Sequence, residues 1–224
     1  MAPLSPQVTR RWIRPLLWGL LLAALLGVGS AAVWQQRARQ RAVESRERAA
    51  ALPALGTVPE FTLANRDGRL VRTADLAGAP WIADFVFTRC MSSCPMLSAR
   101  MAELDRTLPE PLGIRLVSFS VDPAHDTPAV LARYARSLGA SGASRRWLFL
   151  TGDPAALRSL TRRGFRLAVE PGGADLAVPP EAILHSTRFV LVDAQGTIRG
   201  TYQGLDPAAL RQLAADARAL AEER

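Results

Sequence analysis

Cys90 and Cys94 are the only two cysteines in the 224-residue chain, and they lie in Arg89-Cys-Met-Ser-Ser-Cys-Pro95. Two sulfurs at this spacing can close a disulfide, attack a disulfide in another molecule, or hold a soft metal ion. They cannot build a multi-bridge framework. A four-ligand zinc site is poorly supplied, because the chain has only two His, His125 and His185, and neither is near the pair in sequence. Two thiolates and one imidazole suit a soft, low-coordinate ion, and Cu(I) is the best match by ligand softness.

The flanking residues indicate how the pair is held. Residues 81–88 are mostly apolar and read as a buried strand of about eight residues. After Pro95, the spacing of Met96, Leu97, Met101 and Leu104 predicts a helix. A strand that delivers two Cys to a helix start places them where backbone N–H groups favour anions. Thiolates are therefore the expected reactive form, with Arg89 adding positive charge. If both Cys lie at the helix entry, their four-residue offset puts them on one side.

His185 closes a long stretch, residues 166–184, that lacks a clear period and holds three Pro and two Gly. In an α/β sheet, loops at the strand ends meet helix N-termini, which would let His185 face the Cys pair. The residues alone leave open whether it is a ligand or a surface histidine. His125, in Asp122-Pro-Ala-His-Asp-Thr-Pro128, reads as a solvated loop residue in a turn that caps a helix. Core packing accounts for Met101 and Met96, which leaves Met91, between the two Cys, as the one thioether candidate. Asp122, Asp126, Asp153 and Asp206 read as turn and cap residues.

The net charge of +8 suggests nucleic acid until it is located. Residues 1–48 hold eight Arg and two Glu, whereas residues 51–224 hold twenty Arg and eighteen acids. The basicity thus belongs to the N-terminal segment, and no nucleic-acid partner is expected. Residues 16–33 form an uncharged apolar run flanked by Trp12, Trp18 and Trp34, just long enough to span a bilayer. A cleaved signal peptide is the rival reading, with small residues at 29–32. A retained anchor is favoured because the apolar run continues past them to Trp34. No Cys follows the run, which excludes a lipoprotein. Arg on both flanks leaves the positive-inside count indecisive, and long domains translocate largely regardless of it. The expected division is a tail at 1–14, a transmembrane anchor at 15–34, a solvated helical stalk at 35–54 and a globular domain at 55–224.

Within the domain, alternating residues around Phe61 and Leu63 and a turn at Asn65-Arg-Asp-Gly68 predict a hairpin. The strand before the Cys pair follows. Further strands are predicted at 114–121, 147–150, 188–193 and 197–202. Helices are predicted from Thr127-Pro128, Asp153-Pro154 and Asp206-Pro207. Strands alternating with helices indicate an α/β sheet with parallel crossovers, and the last hairpin should add an antiparallel edge.

Three blocks together resemble the Sco/SenC copper proteins. They are Phe85-Val-Phe-Thr-Arg-Cys90-Met-Ser-Ser-Cys94-Pro95, Val117-Ser-Phe-Ser-Val-Asp122-Pro-Ala-His-Asp126-Thr-Pro128 and His185-Ser-Thr-Arg-Phe-Val-Leu-Val-Asp193-Ala-Gln-Gly196. The resemblance covers nearly the whole chain, least securely residues 1–55 and 166–184. It implies a thioredoxin-like fold on a membrane anchor, with the domain in the periplasm if the source is bacterial. It also implies one copper, Cu(I) with Cu(II) as the second oxidation state, bound by Cys90, Cys94 and His185. The implied role is assembly of the dinuclear copper centre of cytochrome c oxidase subunit II, with an upstream copper donor that the sequence does not identify. Many members carry Pro and acidic residues between the two Cys, where this chain has Met91-Ser92-Ser93. The alternative is a thiol–disulfide reductase with Cys90 attacking and Cys94 resolving, and a thiol peroxidase is a weaker third. Thioredoxins proper place a cis-Pro opposite the Cys pair. Here Ser186-Thr187 stands in that place, which favours metal handling over general disulfide exchange.

Overall fold

The computed structural model describes residues 6–90, 93–140, 146–165 and 187–223. They contain five α-helices and eight strands: α1 (Pro6–Ala51), β1 (Gly56–Thr57), β2 (Thr62–Asn65), β3 (Leu70–Arg72), β4 (Trp81–Val86), α2 (Cys94–Thr107), β5 (Arg115–Ser120), α3 (Pro128–Ser137), β6 (Trp147–Thr151), α4 (Pro154–Ser159), β7 (Arg188–Val192), β8 (Thr197–Gln203) and α5 (Pro207–Glu222). The predicted order of elements holds. The expected loop at 166–184, and His185 with it, lies outside the described residues.

All eight strands join one sheet in the order β1-β8-β7-β4-β5-β6-β2-β3. β4, β5 and β6 run parallel, and β7 and β8 lie antiparallel on the other side of β4. The sequence places the final hairpin at an edge. In the structure β7 packs directly against β4, and the two-residue β1 covers β8. The first hairpin, β2–β3, sits at the far side against β6. The helices start where predicted. Thr127 accepts from the Val130 N–H, Asp153 from Ala156 and Asp206 from Ala208, each followed by Pro in the first turn.

Each residue of β4 is buried because both sheet faces are covered. Trp81 and Phe85 belong to one apolar layer with Phe61, Phe119 and Phe165. Phe85 stacks on Phe119 at 5.6 Å and meets Phe165 edge-on at 5.0 Å. Ile82 points to the opposite layer, built from Leu97 and Met101 of α2, Leu131 of α3, Trp147, Phe149, Phe189 and Leu213 of α5. Alternation along the strand places Asp84 on this helix-covered face.

The chain divides into two compact units, Met1–Glu44 and Ser45–Arg224. In the first, α1 carries a stretch long and apolar enough to cross a membrane, with Leu20, Leu25, Leu26, Val28 and Trp34 all exposed. In the second, the end of α1 is not the solvated stalk that its polar composition predicts. Ala49 is fully buried in the helix-side core. Arg48 Nε lies 2.8 Å from Asp216 Oδ1, and Ser45 Oγ donates to Glu222 at 2.5 Å. Arg199 Nη2 donates to the carbonyls of Ala49 and Leu52, both at 2.9 Å, and its Nη1 pairs with Asp193. A guanidinium thus binds the carbonyls at the helix end, which composition alone does not reveal.

Candidate metal centre

β4 ends at Val86, and four residues later the Cys90 N–H donates to the Phe87 carbonyl at 3.2 Å in a tight turn. Cys94 is the first residue of α2, with Pro95 behind it in the first turn. Both Cys are buried, 8% and 3% exposed respectively, and neither is joined in a disulfide, so the pair stands as a dithiol at the strand–helix junction. The residues that present it come from the Asp122–Pro128 segment after β5. Asp126 is fully buried and accepts three donors: the Thr88 hydroxyl at 2.5 Å, the Ser120 hydroxyl at 2.8 Å and the Thr88 N–H at 3.2 Å. Asp122 Oδ2 accepts from Arg89 Nη2 at 2.6 Å and Nε at 3.1 Å. The two residues before Cys90 are thus held by two carboxylates more than thirty positions away. Asp122 does form a turn, its carbonyl accepting from the His125 and Asp126 N–H groups. The reading of Asp122 and Asp126 as turn and cap residues therefore misses what their side chains do.

The electrostatics also correct the sequence reading. Burial pushes the Cys94 thiol up to about 12, and a hydrogen bond with Cys90 adds to the shift, while the Phe87 N–H opposes it. The thiol, not the thiolate, is the resting form of Cys94. Desolvation outweighs the helix N-terminus because Cys94 lies in the packed side of the first turn. Arg89 does not compensate, since its charge is spent on Asp122. A cation that replaces the proton is what would make the thiolate stable here.

The donors fit a soft ion. Asp122 is taken by Arg89 and Asp126 by Thr88 and Ser120, which among the described residues leaves sulfur as the open donor chemistry on this rim. His125 is exposed, as expected. Met101 is fully buried in the core, whereas Met96 is 54% exposed and not the core residue its spacing suggests. Position 96 falls on the outer side of the first turn. Met91 and His185 lie outside the described residues, and among the described residues no three His, Cys, Asp or Glu side chains converge on a metal-sized site.

Sequence reasoning passed over the polar layer directly beneath the pair. Asp84 is fully buried in the middle of β4, and neither carboxylate oxygen has a hydrogen-bond partner. Burial pushes it up to about 7. Ser118, opposite it in register on β5, opposes that shift, and the Ser118 hydroxyl also accepts from Trp147 Nε1 at 2.9 Å. Nearby, Ser98 of α2 and Tyr134 of α3 share a hydrogen bond of 2.7 Å, and burial pushes the Tyr134 hydroxyl up to about 12. One signal was available: an Asp in an otherwise apolar central strand is costly unless it has a task.

Packing also ties the start of β7 to α2. The Gly204 N–H donates to the Thr187 carbonyl at 2.7 Å. A Cβ at Gly204 would lie 2.4 Å from Leu97 Cδ2 and 2.9 Å from the Thr187 oxygen. Thr187, two residues after His185, is therefore held next to the first turn of the Cys helix.

Comparison with known proteins shows the family. A SCO1 protein homolog of Bacillus subtilis (strain 168) is 34% identical over 152 residues, covering 66% of this chain and 75% of that protein. The crystal structure of a SCO1/SenC family lipoprotein from Bacillus anthracis superposes with a TM-score of 0.65 at 30% identity, over 74% of this chain and 95% of that one. BsSco, a member of the Sco family of cytochrome c oxidase assembly proteins in which a disulfide switch was identified, gives a TM-score of 0.60 at 27% identity, over 78% and 99%. ScoI of Bradyrhizobium japonicum, solved with copper bound, shares the fold with a TM-score of 0.58 at 22% identity, over 74% and 99%. The SCO1/SenC family model matches residues 50–222, from the docked end of α1 to the end of α5, and the chain belongs to that family.

Proposed function

We propose that this protein is a membrane-anchored copper chaperone. It carries one Cu(I) on Cys90, Cys94 and His185 and delivers it to the dinuclear copper centre of cytochrome c oxidase subunit II. The observation that carries this reading is the reduced, buried Cys pair on a rim whose carboxylates are already engaged. Family membership supports it, as does the naming of a relative as an oxidase assembly protein. In this reading residues 15–34 form the anchor and the domain faces the periplasm. Two thiols and a neutral imidazole bind Cu(I) in competition with protons, so affinity falls as pH falls. Delivery is an exchange of ligands with Cys and His of the acceptor.

The test is a Cu(I) titration of the full chain in detergent against a competing chelator, with the His185→Ala variant alongside. One tight equivalent is expected. Removing an outer-shell partner of a metal site commonly costs 10–100-fold in affinity, so loss of a ligand should cost roughly 100-fold or more. Undiminished affinity in the variant would refute His185 as a ligand.

A second reading has its own support, because the two Cys lie within hydrogen-bond reach of each other and BsSco carries a disulfide switch. In it, the Cys90 thiolate attacks a disulfide of subunit II. The Cys94 thiolate then attacks the Cys90 sulfur and releases the partner as a dithiol, so two electrons leave the pair. His185→Ala separates the readings: it should abolish tight copper binding and leave disulfide reduction intact.

A further inference from the structure

α1 carries charge that neither the fold of the domain nor the copper reading uses. Its apolar run closes on Val33 and Trp34, both exposed. Residues 35–43 then hold Arg37, Arg39 and Arg41 and no acid. All three Arg are exposed. Among the described residues none of them takes part in an ion pair, whereas Arg48, further along the same helix, is held by Asp216. With the anchor at 15–34 and the domain outside the cytoplasm, these three stand on the translocated flank. That placement runs against the usual bias of basic residues toward the cytoplasmic side. Three unneutralised guanidiniums there call for a counter-charge.

Depth along the helix says what that counter-charge is. An α-helix rises 1.5 Å per residue, so Arg37 lies about 4.5 Å beyond Trp34 and Arg41 about 10 Å beyond it. Trp favours the membrane–water boundary, and the headgroup layer outside the hydrocarbon is about 5–8 Å thick on each face. Helical side chains lean toward the N-terminus, here toward Trp34, and a long Arg stem extends that reach. All three guanidiniums therefore fall at the depth of lipid phosphates. Arg37 and Arg41, four residues apart, share one side of the helix, and Arg39 stands on the other.

We propose that Arg37, Arg39 and Arg41 form a collar that binds the phosphates of anionic lipid headgroups on the C-terminal side of the anchor. Arg37 and Arg41 grip one headgroup together, and Arg39 takes a second on the opposite side. A guanidinium matches a phosphate through two parallel N–H donors. A zwitterionic headgroup sets its own cation against its phosphate, whereas an anionic one leaves that charge for the protein, so the partner is an anionic lipid. The inference rests on the anchor reading above and is independent of copper.

The test places the full chain in phosphatidylcholine vesicles and measures, by electron spin resonance, how much of a spin-labelled lipid is immobilised against it. Labelled phosphatidylglycerol is compared with labelled phosphatidylcholine at low and high salt. The wild type should favour phosphatidylglycerol roughly fivefold or more, the amount that one basic residue near an anionic surface supplies. Salt should weaken the preference. The combined Arg37→Gln, Arg39→Gln, Arg41→Gln variant should bring the ratio close to one. The combined Arg10→Gln, Arg11→Gln, Arg14→Gln variant should keep most of it. Immobilised lipid with no preference in the wild type, or a preference that survives the first variant, would overturn the collar and leave the anchor standing. A chain that fails to float with the vesicles and immobilises neither lipid would overturn both.

Discussion

Two regions around the Cys pair handle buried carboxylates in opposite ways. In the loop layer, Asp126 is fully buried and accepts three hydrogen bonds. In the sheet layer beneath, Asp84 is equally buried and accepts none. Burial is the same, so the difference lies in the donors. The first arrangement holds the turn that carries Cys90, because Asp126 ties Thr88 of that turn to Ser120 at the end of β5. The second fixes no geometry and leaves a group that titrates. Rigidity comes from the saturated carboxylate, and proton capacity from the starved one.

The largest test of this contrast is Asp126→Ala. It strands two hydroxyls and an amide near the Cys turn and should destabilise the domain by roughly 3–5 kcal/mol in denaturant unfolding. A loss below about 1 kcal/mol would show that Asp126 does not organise the turn.

The opposite sign is expected for Asp84→Asn. The folded-state value of about 7 stands above the ordinary 3.8, so the folded chain keeps a proton that the unfolded chain has lost in between. Stability should therefore fall as pH rises from about 4 to about 7, by up to roughly 4 kcal/mol in total. The amide removes that slope and should leave the variant more stable than wild type at pH 8. Parallel pH–stability curves would remove the contrast between the two aspartates.

Gly204→Ala probes the packing that holds Thr187 beside α2. The added methyl meets Leu97 and the Thr187 carbonyl, and a cost of about 1–3 kcal/mol is expected, with weaker Cu(I) binding. An unaltered melting temperature and affinity would mean that the strand start moves freely. The smallest effect belongs to Arg89→Ala. The Arg89 side chain is 53% exposed, so loss of its pair with Asp122 should cost less than about 1 kcal/mol and leave the Cys turn in place.

The contrast between the aspartates also marks what could be read without coordinates. Asp153 and Asp206 were legible as helix caps because a cap is local, the acceptor lying two or three residues from its donor. Asp126 was not, because its donors come from Thr88, thirty-eight positions away, as well as from nearby Ser120. The end of α1 failed for the same reason. Its sequence is that of a solvated helix, and residues about 150 or more positions on, Arg199, Asp216 and Glu222, make it part of the domain. Met96 shows the limit of periodicity at a helix start, where one residue of phase separates core from surface.

The sequence by itself determined the order of the elements, the Cys pair at a strand–helix junction and the family, since these rest on local patterning and on motifs in a set order. Tertiary structure decided the sheet order, with β7 beside β4 and the first hairpin beside β6. It also decided that Cys94 rests as a thiol, that Arg89 serves Asp122, and that Asp84 stands unpaired beneath the site. Charge state follows from burial and from the donors within reach, and both are set by residues far apart in the chain.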